Sequence, residues 1–475
     1  MLNLENITIQ FHAQSCPVLA GVSLRVNRGK RTVLLGANGS GKSSLMLCAL
    51  GFLNPVSGTV TIDALNPFEP DQTRDARRLI GFVGQHPDDG IVATSVEDEV
   101  AFGLENLGLP REEIRVRVDA ALASVGLQDC VRREPHTLSG GQKQRLVMAG
   151  ALALNPHYLL LDEPCSMLDA TARDHMLGLI EEATKSDIGV LHITHDMSEA
   201  VHADEIVVLH AGSVVYCGDY EGLLAYGAEF STWGIELDMP SVQRIPAVDE
   251  TREVFKLDGV SVTFEADSNN TVAALTEVSA TVKKGEFIVI EGATGAGKST
   301  LLMVLAGLLG VDTGEILFSG KLLTAKQARG RIGLVFQNPE MSLFGETVER
   351  DIAFGPENFG ATQAQALIKA RDTLTEVGLD PDVFAQRSPF TLSGGEARKV
   401  ALAGVLSFGP QVILADEPTA ELDAPGRLQI RELFARESAH ATIIVVTHNL
   451  PEFSSLADRI FRIENGCLRE VEATA

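Results

Sequence analysis

The sequence predicts an α/β protein built twice over. Each copy is a mostly parallel core sheet with a small antiparallel β subdomain and a helical subdomain. Three observations carry the prediction. A series of motifs runs in fixed order and then recurs at a near-constant offset: Lys42 to Lys298 is 256 residues, Ser139 to Ser393 is 254, Glu163 to Glu417 is 254 and His195 to His448 is 253. Continuous apolar runs of strand length, each ending at a polar residue, occur at matching places in both halves. Between them lie stretches of helical period.

Each half opens with short alternating runs, residues 4–11 and 254–264, that suit a small antiparallel sheet. The apolar runs follow, 32–35, 158–161 and 190–193, then 287–290, 412–415 and 442–446. Runs without alternation suit strands buried on both faces of a parallel sheet. Their polar ends are where ligands gather in open α/β sheets. Within 85–139, Ile114, Val118, Ala121, Leu122 and Val125 share one helical face, as do Leu367, Ala370, Leu374 and Val377 in the second copy. Residues 225–253, with Pro240 and Pro246, have no sustained period and read as a tail and linker. The expected division is 1–246, a first domain with its tail; 247–253, a linker; and 254–475, a second domain.

A chain of 475 residues is long for one core and suits two. A formal charge of −25 opposes a surface built for DNA, RNA or anionic lipid. The apolar stretches fall short of the ~20 residues that span a bilayer, and the N-terminus has no basic signal pattern. The expectation is a cytosolic chain whose membrane work, if any, belongs to a partner. The six cysteines form no C-x-x-C pair, which opposes zinc and disulfides and favours buried reduced thiols.

The first motif is Gly36-Ala37-Asn38-Gly39-Ser40-Gly41-Lys42-Ser43, followed by Ser44. Its repeat is Gly292-Ala293-Thr294-Gly295-Ala296-Gly297-Lys298-Ser299, followed by Thr300. A strand feeding such a loop into a helix gathers backbone N–H groups and a helix N-terminus around a phosphate. Lys42 and Lys298 then reach the β- and γ-phosphates, and Ser43 and Ser299 offer hydroxyls to Mg²⁺. Asp162 and Asp416 end buried strands where a carboxylate holds a metal through water, and Glu163 and Glu417 follow to polarise an attacking water. A helix-start cap is the competing use of each Asp-Glu-Pro. His195 and His448, just past strands, are placed to sense a γ-phosphate, although a lone histidine there is more often core. Gln85 and Gln337 occupy matching strand ends where an amide can ligate Mg²⁺. Ser139-Gly140-Gly141 and Ser393-Gly394-Gly395 look like second anion-binding helix starts, most useful facing a different nucleotide.

In this order the motifs resemble the ATP-binding cassette superfamily over almost the whole chain, which implies two tandem P-loop nucleotide-binding domains. P-loop, Q-loop, signature, Walker B, D-loop (Ser166-Met167-Leu168-Asp169 and Ala420-Glu421-Leu422-Asp423) and switch histidine are all present. The resemblance implies ATP and Mg²⁺ as cofactors and head-to-tail packing of the cassettes. One site would then join Lys42, Ser43, Gln85, Asp162, Glu163 and His195 with Ser393, Gly394 and Gly395. The other would join Lys298, Ser299, Gln337, Asp416, Glu417 and His448 with Ser139, Gly140 and Gly141. Phe11 and Phe264 fall where the family places an aromatic against adenine; a core role is the alternative.

The stretches Gln85-His86-Pro87-Asp88-Asp89 with Ala101-Phe102-Gly103, and Gln337-Asn338-Pro339-Glu340 with Ala353-Phe354-Gly355, resemble the ATPases of energy-coupling factor importers of vitamins, cobalt or nickel. Residues 234–242 resemble the tail that follows the cassette in those ATPases, and the second copy shows no such tail before Ala475. Glu396 and Met167 depart mildly from the family pattern. This narrower resemblance implies an ATP-driven import motor, peripheral on the cytoplasmic face of the membrane. Its partners would be a transmembrane coupling subunit and a substrate-binding membrane subunit, with no nucleic acid and no span of its own. Phe102 and Phe354 would lie in the docking region, unless they anchor the helical subdomain. A tandem cassette protein acting on ribosomes or DNA is the alternative; the long charged linker or zinc insertion expected of it is absent.

Overall fold

A computed structural model of the chain describes residues 1–11, 16–166, 168–235, 242–244, 249–267, 270–420 and 422–471. The chain divides into two compact units, Met1–Asp238 and Met239–Ala475.

In the first unit the strands Arg31–Leu35 and Gly189–Ile193 are buried along their whole length, as suits mostly apolar strands covered on both faces, and Arg31, Thr32 and His192 are buried with them. They lie within a six-stranded sheet ordered Ile80–Val83, Tyr158–Asp162, Gly189–Ile193, Arg31–Leu35, Glu205–His210, Ser213–Gly218. All neighbours are parallel except the last pair. Asp162 pairs with Ile193, and Leu34 also pairs with Ile193. This register brings the ends of three strands, hence Gly36, Asp162 and Thr194, to one edge. A three-stranded antiparallel sheet of Leu19–Val26, Leu2–Ile9 and Ser57–Ile62 completes the β portion.

The helix Lys42–Ala49 buries Leu45 and Met46 in a core shared by Leu4 and Ile7 of the antiparallel sheet and Leu34 and Leu160 of the parallel one. On the other face, Val100, Val118, Leu122 and Leu146 from the helices Val96–Asn106, Arg111–Ser124 and Gly140–Ala153 pack on Leu159, Leu161 and Val190. Each such side chain contributes ~1.5–3 kcal/mol by leaving water. The sheet and its two covering layers therefore fix where the polar strand ends stand.

The second unit repeats this plan. Its six-stranded sheet runs Ile332–Val335, Val412–Asp416, Thr442–Thr447, Phe287–Glu291, Arg459–Glu464, Cys467–Val471, again with only the last pair antiparallel. The antiparallel sheet orders Asn270–Lys284, Asp249–Asp267, Thr313–Phe318 and Lys321–Leu322. The helices Val348–Asn358, Gln363–Glu376 and Gly394–Leu406 form the helical portion, and Gln363–Glu376 buries Ala370 and Leu374 as its period requires.

The region between the copies departs from the sequence reading. Phe230–Trp233 is a short helix that buries both aromatics against Ile206 and Val208. Val242 packs into the core that holds Phe287, and Arg244 pairs with Asp458, so both belong to the second unit rather than to a tail of the first. The second unit's first strand already begins at Asp249, inside the stretch read as linker. An apolar residue and an arginine with no periodic neighbours carry no local signal; their partners are distant in sequence. Residues 236–241 of the family-like tail, and 245–248, lie outside the described residues.

All six cysteines are free, but only Cys48 and Cys165 are buried, while Cys16 and Cys217 are exposed. Buried thiols thus account for a minority of them. Among the described residues no helix is long and apolar enough to cross a membrane.

Candidate nucleotide-binding and catalytic sites

The glycine loop leaves the buried strand Arg31–Leu35 and enters the helix Lys42–Ala49 through Gly41, at φ 104°. A Cβ at Gly41 would sit 2.5 Å from Leu19 Cδ2; at Gly297, φ 105°, it would sit 2.2 Å from the Ala274 carbonyl oxygen. Only glycine satisfies both the backbone conformation and the approach. In the first loop Asn38, Gly39 and Ser43 are exposed while Gly36, Ser40 and Lys42 are buried and Ser44 is half-buried. In the second, Thr294, Gly295 and Ser299 are exposed, Gly292 and Ala296 are half-buried, and Lys298 and Thr300 are buried. Lys42 Nζ donates to the Gly36 and Ala37 carbonyls at 2.8 and 2.9 Å. Lys298 does the same to Gly292 and Ala293 at 2.6 and 3.1 Å. Each lysine thus spans its own loop and holds it in shape with an ammonium at its centre.

Asp162 and Asp416 close the strands Tyr158–Asp162 and Val412–Asp416. Burial and then the charge of Glu163 push Asp162 up to about 6, against a hydrogen bond from Ser43 and the charge of Lys42. Asp416 is raised by burial too, against a hydrogen bond from Ser299. Such a carboxylate, desolvated and already joined to a loop hydroxyl, gains most from a cation. The residues present fit Mg²⁺.

Glu163 and Glu417 each adopt φ 47° immediately after the strand. The left-handed turn directs them away from the strand's alternation and separates them from the preceding aspartates. His195 Nδ1 lies 3.3 Å from Glu163 Oε2, and His448 Nδ1 lies 2.9 Å from Glu417 Oε2. Burial opposes a charge on His448, but the hydrogen bond and the charge of Glu417 outweigh it and raise its pKa. The Thr194 and Thr447 hydroxyls accept from the backbone two residues on, at Asp196 (3.1 Å) and Asn449 (3.0 Å), which turns the chain so that each histidine faces its glutamate. Gln85, past the strand Ile80–Val83, donates to Glu163 Oε2 at 3.4 Å.

The structure thus gathers Lys42, Ser43, Gln85, Asp162, Glu163 and His195 at one edge of the first sheet. Lys298, Ser299, Asp416, Glu417 and His448 gather likewise in the second, beside Gln337 at its strand end. Ser139 and Ser393 stand apart, exposed at the starts of Gly140–Ala153 and Gly394–Leu406. Each closes a capping box: the Ser139 N–H donates to Gln142 Oε1 (3.0 Å) and the Ser393 N–H to Glu396 Oε2 (2.8 Å). Glu396 therefore replaces glutamine without loss of the cap. Asp169 and Asp423 also cap helices, accepting from Ala172 (2.9 Å) and Gly426 (3.0 Å). Met167 and Glu421 lie outside the described residues. Phe11 and Phe264 are 44% and 43% exposed, so neither is a core residue.

Sequence reasoning missed two contacts. The Trp233 carbonyl accepts from the Ala37 N–H of the glycine loop at 3.1 Å. Arg398, 2% exposed, donates to the carbonyls of Glu417 and Gln337 at 2.5 and 2.9 Å. The lone tryptophan was a weak signal for the first; an arginine in a helix ordinarily reads as solvated surface.

The fold and the twofold assembly of lysine, serine, aspartate, glutamate and histidine define a tandem P-loop nucleoside-triphosphatase. The family model for ABC transporter matches residues 19–166 and again 275–420. The chain belongs to that family and carries two of its ATPase domains. A putative ABC transporter ATP-binding protein of Bifidobacterium longum is 35% identical over 97% of this chain, which spans 64% of that relative's length. A Bacillus subtilis protein named putative HMP/thiamine import ATP-binding protein YkoD is 30% identical over 97% of this chain and 89% of its own. A solved structure, cbiO1 from Clostridium perfringens, described as part of the ABC transporter complex cbiONQ, is 32% identical over 50% of this chain and 95% of its own, with a TM-score of 0.45.

Proposed function

We propose that the chain is the ATP-hydrolysing motor of a membrane importer. The observation that carries this reading is the convergence, in both units, of a buried lysine, a loop serine, a strand-end aspartate and a glutamate–histidine pair. The loop amides and Lys42 or Lys298 bind the β- and γ-phosphates. Ser43, Asp162 and Gln85, or Ser299, Asp416 and Gln337, would hold Mg²⁺, which would supply neutralisation of phosphate charge. Glu163 and Glu417 take the proton of the water that attacks the γ-phosphorus in line, releasing ADP and phosphate. His195 and His448 orient those carboxylates and sense the γ-phosphate. Exposed Phe11 and Phe264 are offered to adenine. Ser139-Gly140-Gly141 and Ser393-Gly394-Gly395 each offer a second anion-binding helix start, with Ser139 and Ser393 exposed at its tip.

Coupling uses the face that follows Gln85 and Gln337. Phe102 and Phe354 are each half exposed rather than anchored in the core, and Phe344, edge-on to Phe354, is exposed as well. Apolar side chains on the surface fit helices of a membrane-embedded coupling subunit. The import name of the Bacillus relative supports a vitamin as solute, a transition-metal ion being the other class, bound by a separate membrane subunit. The chain would then sit on the cytoplasmic face of the membrane as a peripheral protein.

The test is the double variant Glu163→Gln with Glu417→Gln. Loss of a positioned base costs ~10²–10⁴ in rate, so this variant binds ATP and loses Mg²⁺-dependent turnover. Near-parental hydrolysis would refute the assignment.

A further inference from the structure

Arg398 stands on the helix Gly394–Leu406, five residues after Ser393, and is almost completely buried. A buried guanidinium is costly unless its donors are satisfied. Here two donors go to backbone carbonyls of two different motifs: Nη1 to Glu417 at 2.5 Å and Nη2 to Gln337 at 2.9 Å. Glu417 is held in the left-handed region at φ 47°, a conformation that costs of order 1–3 kcal/mol and needs support from its surroundings. Its N–H donates to Val446 O at 2.9 Å, and its carbonyl accepts from the Ala420 N–H at 3.2 Å and from Arg398.

The first unit solves the same problem locally. Glu163 has the same φ, and its carbonyl accepts from both the N–H and the hydroxyl of Ser166, at 3.2 and 3.0 Å. Gln144 occupies the place of Arg398, equally buried, and donates to the Gly84 carbonyl at 3.1 Å. The pair Gln144 and Ser166 of one copy thus stands against Arg398 and Ala420 of the other. In one copy the second donor to the glutamate carbonyl comes from three residues away; in the other it comes from the signature helix.

We infer that Arg398 is a positioning residue for the reaction at the second phosphate site, joining the signature helix, the Gln337 strand end and Glu417 into one mechanical unit. The two sites of the chain are accordingly unequal. A displacement of the Ser393 helix start is transmitted to Glu417 through a rigid planar fork, whereas Glu163 is held by its own turn. This rests on the reading of Glu417 as the base.

The experiment uses the full chain with the first site silenced by Glu163→Gln. In that background Arg398→Gln installs the side chain that the first unit accommodates at the same place. The kcat for ATP falls about 10- to 100-fold, the loss expected of a displacement near 1 Å, with KM within about twofold. Adding Ala420→Ser supplies the missing local donor and restores most of the lost kcat. An unchanged kcat in Arg398→Gln overturns the inference. So does a loss that Ala420→Ser fails to restore, or one that tracks a fall in ATP binding and melting temperature, since these mark a merely structural arginine. The Glu163→Gln with Glu417→Gln control must be inactive; if it turns over, the base assignment fails whatever Arg398 does.

Discussion

Asp162 is a carboxylate held where water is scarce, and neutralising it in the nucleotide-free chain has a calculable effect. Its pKa is raised from 3.8 to about 6, by burial first and by Glu163 second. At about 1.4 kcal/mol per tenfold change in proton affinity, the ionised group opposes folding by about 3 kcal/mol at neutral pH. A carboxyl whose folded pKa lies above its unfolded one binds more protons in the folded state through that window. Stability therefore falls as pH rises from 3.8 through about 6, and the full cost stands above it. Asp162→Asn removes the charge and keeps an acceptor for Ser43. Without nucleotide or metal it should stabilise the first unit by about 2–3 kcal/mol near pH 7.5 and by roughly half as much near pH 5. For a unit of this size that raises its melting temperature by about 5–10 °C. Scanning calorimetry of parent and variant in a chelator, at both pH values, makes the measurement. MgATP should then stabilise the parent more than the variant, because only the parent presents a carboxylate to the cation. A variant that melts at or below the parent near pH 7.5 without nucleotide would show that the buried charge of Asp162 does not oppose folding.

Three further outcomes test the neighbouring assignments. If Lys42 works with Ser393, then Lys42→Ala and Ser393→Arg damage one site and their combination is no worse than the more severe single change, whereas Lys42→Ala with Ser139→Arg damages both; equal steady-state rates for the two pairings would dismiss the head-to-tail reading. Gly297→Ala forces a Cβ against the Ala274 carbonyl at a backbone conformation costing ~1–3 kcal/mol, so the second site loses ATP binding in equilibrium titration; parental affinity in a Lys42→Ala background would contradict this. For the coupling face, Asp98→Lys and Glu346→Lys are the informative changes, because both residues are exposed. Glu349, three residues on from Glu346, is half-buried, accepts from Gln386 and lies 3.9 Å from Arg371, so a lysine there would disturb the unit itself. The pair of changes should preserve ATP binding and weaken co-purification with a polytopic membrane protein; normal assembly and uptake would remove the interface from this face.

Features that follow from local chemistry, and that the duplication repeats, were readable from the residues alone. Strands buried on both faces are mostly apolar runs, a phosphate loop must have glycine where a Cβ has no room, and duplication displays both twice at a near-constant offset. The strands through Leu35, Asp162 and Ile193, their counterparts in the second copy, and the loops after them were legible for that reason. The helix faces of Val118 and Leu374 were legible through their period.

Features that depend on partners far apart in the chain emerged only from the packed fold. Val242 and Arg244 belong to the second unit because of Phe287 and Asp458, which no neighbouring residue announces. Phe11 and Phe264 are surface residues, although their type fits a core equally well. Arg31, His192 and Glu199 form a buried polar cluster in the first unit, Arg31 Nη2 reaching His192 Nδ1 and the Glu199 carbonyl, both at 2.7 Å; none of the three is marked by period or motif. Arg398 is the sharpest case. Whether an arginine on a helix faces water or a pair of backbone carbonyls depends on how that helix packs against two other segments, and packing is settled only when all three are in place.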